Sequence, residues 1–210
     1  MKKFLILLSA LLLSVQAQAA LVGVVGGGEI IAAVSVQEDS ITNDHQQGFN
    51  EQQGVLLGSA VTVDTGHGIV GGTVAAGMRV DSHLIFLNTA VGTPNADTTS
   101  TWEFDGDIVG VMSDQPGNLM TNTDSLFAAF NDYFTTGTAS PFNAQGLEGN
   151  DSYGVVAGNF LRLHMLVSEP GDWIRVLTVS AVPVPAALFL FAPALLGFLG
   201  LRRKVSNTTA

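Results

Sequence analysis

The chain contains no cysteine, which excludes disulfides, thiolate metal sites and a cysteine nucleophile. Cationic side chains are almost as scarce in its middle. Across residues 20–181 only Arg79, Arg162 and Arg175 stand against all eighteen Asp and Glu residues. Binding a polyanion requires cations that displace its counterions, so nucleic acid is excluded as a partner. Charged residues make up just 12% of the 210 residues, while 47% are hydrophobic. Much of that apolar content sits in two terminal runs, residues 4–13 and 182–201. What lies between is rich in Gly, Thr, Val, Asn and Asp and shows little long helical periodicity.

The N-terminal run follows Met1-Lys2-Lys3 and ends in the small-residue pattern Ala17-Gln18-Ala19. A charged start, a short apolar core and small residues before a cut form the pattern that signal peptidase reads. The apolar core reaches only about half the ~20 residues of a spanning helix. Residues 1–19 therefore read as a removed signal peptide, with the mature chain starting at Ala20. A cysteine-free exported chain suits a bacterial envelope that requires no oxidative folding.

At the other end, residues 182–201 carry no charge; twenty helical residues would cover about 30 Å, the thickness of a bilayer core. Arg202-Arg203-Lys204 follows at once, and such a cluster stays on the cytoplasmic side, leaving 205–210 as a short cytoplasmic tail and the middle domain outside. Val182-Pro183-Val184-Pro185 favours extended backbone, because each proline fixes its own φ and biases its predecessor away from helix. The helix should therefore begin near Ala186 and kink at Pro193, which makes it slightly short for a permanent span.

This arrangement of proline motif, apolar helix and basic cluster resembles the PEP-CTERM sorting signal of Gram-negative bacteria. Val182-Pro183-Val184-Pro185-Ala186 is similar to its Val-Pro-Leu-Pro-Ala variant, with Val184 in place of leucine and without the glutamate of the eponymous motif. The resemblance covers residues 182–204. It implies recognition by an exosortase-type membrane protease, transient residence in the inner membrane, and release or transfer to the cell surface, commonly beside an exopolysaccharide. A plain membrane anchor is the competing reading.

The segment 20–181 is long enough for one buried core. Residues 61–63, 68–76, 79–87, 107–112, 153–167 and 173–179 are apolar or β-branched stretches bounded by Gly, Pro, Asn and Asp. They predict a mainly β domain, an antiparallel, jelly-roll-like β-sandwich, with one short helix over 124–130 capped by Thr123 or Asp124. Leu126, Phe127 and Phe130 would face inward from that helix. In Phe160-Leu161-Arg162-Leu163-His164-Met165-Leu166-Val167, strict alternation places Leu161, Leu163, Met165 and Val167 on one face and Arg162 and His164 on the other. The strand 172–177 reads as its hairpin partner across the turn Glu169-Pro170-Gly171-Asp172. Gly26-Gly27-Gly28 lacks the spacing of a phosphate loop and reads as a flexible or edge element.

Asp105-Gly106-Asp107 is the best metal candidate, since oxygen donors around a glycine turn can converge on calcium, with Asp114, Glu148 or Asp151 adding ligands. A plain Asp-Gly turn stands ahead of that reading. The polar run 42–54 offers Gln46 and Gln47 amides and a Phe49 ring that could stack on a sugar, a candidate glycan site. A solvated loop with Phe49 packed beneath it stands ahead here too. Asp81-Ser82-His83 holds the residue types of a hydrolase triad, but neighbours on a strand point to opposite faces. The four histidines show no zinc spacing. The sequence thus favours a non-enzymatic, exported surface or matrix protein over a secreted carbohydrate-active enzyme or an anchored periplasmic domain.

Overall fold

The computed structural model describes residues 20–34, 36, 43–65, 72–89, 96–128, 146–167 and 171–180. The signal and sorting segments, 1–19 and 182–210, lie outside the described residues. So does Phe130.

The domain is mainly β. Its strands are β1 (Leu21–Gly26), β2 (Gly28–Ile30), β3 (Gln46–Asn50), β4 (Val55–Leu56), β5 (Val61–Thr62), β6 (Thr73–Val74), β7 (Arg79–Leu87), β8 (Ala96–Phe104), β9 (Ile108–Met112), β10 (Ser152–Ala157), β11 (Phe160–Val167) and β12 (Asp172–Val179). Two single-turn helices, α1 (Asn118–Thr121) and α2 (Asp124–Phe127), follow β9.

Alternation decides the first sheet. Leu161, Leu163, Met165 and Val167 are buried while Arg162 is exposed, so β11 has one wet face. It pairs with β8 and β10, and β1 completes an antiparallel sheet of order β1-β8-β11-β10. The second sheet is built on strands buried along nearly their whole length, β7 and β12. Its order is β2-β3-β7-β12-β9, with β4 also on β7; the β2–β3 pair is parallel and the rest antiparallel. Strands β5 and β6 form a separate antiparallel pair. Leu21, Trp102, Phe104, Leu161 and Met165 of the first sheet share one core with Ile85, Leu87, Ile174 and Val176 of the second. Burying such side chains contributes about 1.5–3 kcal/mol each.

Two glycines make room for the largest of them. A Cβ on Gly48 would lie 2.7 Å from the Trp102 ring, and one on Gly28 would lie 2.9 Å from it. The glycine run 26–28 is thus a passage between layers: Gly26 ends β1 with φ 95°, and Gly28 opens β2 in the other sheet.

Three expectations are corrected. Strands β11 and β12 are not a hairpin; β11 ends in the first sheet and β12 runs in the second, between β7 and β9. The reason is burial, since β12 has both faces covered and belongs at a sheet centre, whereas β11 has one face in water. The stretch 153–167 is two strands around Gly158, not one. The helix expected over 124–130 is, among the described residues, the single turn α2, and a turn not expected, α1, precedes it. Thr123 sits at the N-cap of α2 without a capping bond from its side chain, and Leu126 points outward at 38% exposure while Phe127 is buried.

Candidate functional site

The outer face of the first sheet is open to solvent and carries two adjoining hollows, of about 570 and 510 Å³. They share Thr99, Val156 and Arg162. Register explains how these residues meet: Val25 stands opposite Thr101, Thr101 opposite Arg162, and Arg162 opposite Gly154. The next row of the same face runs Thr99, His164, Ser152. A Cβ on Gly154 would meet nothing within 4 Å, so the space beside the Arg162 side chain is unfilled. Among the described residues no Asp or Glu lines either hollow. At the rim, His164 Nε2 pairs with Asp97 at 2.9 Å. Among the described residues the Arg162 side chain has no ion pair or hydrogen bond. The sequence placed Arg162 on the outer face but did not identify it as a site.

The run 42–54 proves to be structural. Gln46 and Phe49 are fully buried, so neither offers a donor or a ring to a sugar, and the glycan site on Phe49, Gln46 and Gln47 is corrected. Gln46 belongs to β3, and its side chain ties the two sheets together. Its amide donates to the Thr98 and Leu163 carbonyls at 3.1 and 3.2 Å, while its oxygen accepts from Trp102 Nε1 at 3.0 Å and from the Ser100 hydroxyl. Phe49 packs edge-on to Phe86 in the core. Gln47 is half-buried; it donates to Glu29 and accepts from Asn43. Beside it, His45 lies between Asp44 at 2.6 Å and Glu29 at 3.2 Å, and these two hydrogen bonds raise its pKa.

The proposed calcium ligands are not brought together. Asp105 accepts from the Ala20 backbone amide, and Asp114 caps α1 by accepting from Asn118 N at 2.8 Å and Leu119 N at 3.0 Å. Asp107 Oδ1 lies against Gly158, and its carbonyl accepts from Val179 N. Among the described residues no three His, Asp or Glu side chains form a group able to hold a metal ion. Nor do Asp81, Ser82 and His83 address one another. Ser82 donates to Glu51, Asp81 accepts from Gly54 N, and His83 bonds Asn50 at 2.8 Å and Thr178 at 3.0 Å. Burial pushes the His83 pKa down to about 3, so it stays neutral.

No pattern along the chain points to the buried ion network. Arg175, fully buried at the centre of β12, makes a two-pronged pair with Glu51, its Nε and an Nη donating at 2.7 and 2.8 Å. It also donates to Asp124 at 2.8 Å and to the Met120 carbonyl at 2.8 Å. These bonds clamp both helical turns to the second sheet. The guanidinium lies 5.6 Å from the Phe127 ring centre.

Val182, Pro183, Val184, Pro185, Ala186, Arg202, Arg203 and Lys204 lie outside the described residues. Among the described residues no helix is long and apolar enough to cross a membrane. Comparison with protein-family models, with curated proteins and with solved structures finds no match to this chain.

Proposed function

We propose that this chain is an exported protein built on a jelly-roll-like antiparallel β-sandwich and sorted at its C-terminus by an exosortase-type membrane protease. Signal peptidase removes residues 1–19, the inner membrane holds the chain in transit, and the mature domain acts at the cell surface or in the extracellular matrix. Its role there is binding, not catalysis. The observation that carries this reading is the tripartite C-terminal pattern of proline motif, apolar run and Arg202-Arg203-Lys204. The open outer sheet face, whose hollows are lined by no acid among the described residues, supports the binding role. The polar groups of the Asp81-Ser82-His83 stretch, by contrast, are taken up in internal bonds.

Prolines 183 and 185 hold an extended backbone where a protease can engage it. Mass spectrometry of the native C-terminus should therefore find it near residues 182–186, in protein recovered from the surface or the medium. Replacing Pro183 and Pro185 with alanine should let the helix extend and leave full-length protein in the inner membrane. A wild-type protein that keeps residues 202–210 in cells possessing such a protease would be a simple anchored domain, and the sorting reading would fail.

A further inference from the structure

We propose that the trough around Arg162 binds a glycan carrying a sparse carboxylate, with the guanidinium taking the carboxylate and neighbouring hydroxyls taking the flanking sugars. This deepens the binding role proposed above and rests on it, while standing apart from the sorting step.

Charge is the first argument. Residues 20–181 carry eighteen carboxylates and three arginines. Arg175 is spent on Glu51 and Asp124, and Arg79 donates to the Gly54 carbonyl. Arg162 alone has an exposed side chain with no partner among the described residues, although acids abound. Among the described residues the hollows it lines contain no acid. An anion repelled elsewhere on the surface is admitted at this place. The planar fork of a guanidinium matches a carboxylate in two parallel hydrogen bonds.

Shape and chemistry narrow the ligand. Gly154 leaves a gap directly beside Arg162, and its backbone has no left-handed φ, so the gap is not a by-product of a strained turn. Thr99, Thr101 and Ser152 surround the gap with hydroxyls. Val25 and Val156, 70% and 67% exposed, offer apolar surface of the kind that the C–H faces of a pyranose cover. Four strands at about 4.8 Å spacing give a span of about 14 Å, room for a short run of sugars. A densely charged polyanion would be opposed by the acidic surroundings, which favours a chain whose carboxylates are separated by neutral sugars. A peptide is disfavoured by topology. Strand addition by a peptide would use the edge strands β1 and β10, whereas Arg162 projects from β11, an interior strand with backbone partners on both sides.

The test uses the full chain in detergent micelles against an immobilised panel of uronate-containing oligosaccharides, including hyaluronan hexasaccharide, each beside its carboxyl-reduced counterpart and a glutamate hexapeptide. At least one uronate glycan should be retained, with affinity falling about tenfold or more on carboxyl reduction and in Arg162→Gln, as loss of a charge-assisted hydrogen bond requires. Gly154→Phe fills the trough without touching the charge, and the open space at its Cβ lets it fold. It should lose binding to the same extent. Failure to retain any uronate glycan, retention unchanged in Arg162→Gln, or equal retention of the glutamate peptide would each overturn the proposal. The C-terminal mass of the native protein is read independently, so failure here leaves the sorting reading standing.

Discussion

Arg175→Met should lower the stability of the 20–181 domain by about 3–5 kcal/mol, the cost of leaving a buried charge without its partner. The side chains of Arg175 and Glu51 are both fully buried, and that of Asp124 is only 18% exposed. Removing the guanidinium strands two carboxylates in the protein interior. It also deprives the Met120 carbonyl and Thr123 hydroxyl of a donor at the junction of the two helical turns. In urea unfolding the midpoint should move down sharply, and the melting temperature should drop by about 10 °C. The double variant Arg175→Met/Glu51→Met should recover part of that loss. An apolar pair of similar size requires no desolvated charge, although the Ser82 hydroxyl then loses its acceptor. A double variant less stable than Arg175→Met alone would show that the network acts through Ser82 and the helices more than through the stranded charge.

The same network shows where sequence reading stops. Strand β11 is legible because alternation is a local property, and Leu161, Leu163, Met165 and Val167 state it in eight residues. Which strand pairs with it is not local. The Glu169-Pro170-Gly171-Asp172 stretch reads as a tight turn, yet β11 and β12 belong to different sheets, because β12 must be covered on both faces. Strand β8 escapes notice because its inward positions include Ser100, a residue that marks no core. Only the buried Gln46 opposite gives that hydroxyl a partner. Gln46 misleads for the matching reason: an amide in a polar run looks solvated until the other sheet supplies the carbonyls it donates to. The outer trough depends on β1, β8, β10 and β11, brought together by register across long stretches of chain. A pattern search along the sequence meets Arg162 without its neighbours Gly154 and Thr101.

Stability should hold roughly level from pH 4 to 6.5 and then fall toward pH 9, and Asp172→Asn should remove most of that alkaline decline. Asp172 is 4% exposed at the start of β12, with one carboxyl oxygen lacking a hydrogen-bond donor. Burial pushes its pKa up to about 9, and the carboxyl of Asp151 and the charge of Glu148 add to the shift. Asp151, beside it, is held in place by Leu166 N at 2.7 Å and Glu148 N at 2.9 Å. An unfolded aspartate titrates near 3.9, so above that pH the folded state holds a proton that the unfolded state has released. Rising pH then favours unfolding by up to about 1.4 kcal/mol per unit. His83 acts in the opposite direction. Its folded pKa of about 3 lies below the unfolded value near 6.5, so stability rises with pH across that interval. The two slopes offset each other until the unfolded histidine is neutral, and beyond that only the Asp172 slope remains. The raised pKa of His45 steepens the fall, because its stabilising charge is lost as pH passes through the folded value. Asparagine at position 172 keeps the shape and can donate to Asp151 at every pH. At pH 8 it should therefore exceed the wild type by about 2 kcal/mol relative to their difference at pH 6. Parallel alkaline limbs for the two proteins in urea titrations at pH 6, 7, 8 and 9 would mean that Asp172 is already ionised in the fold.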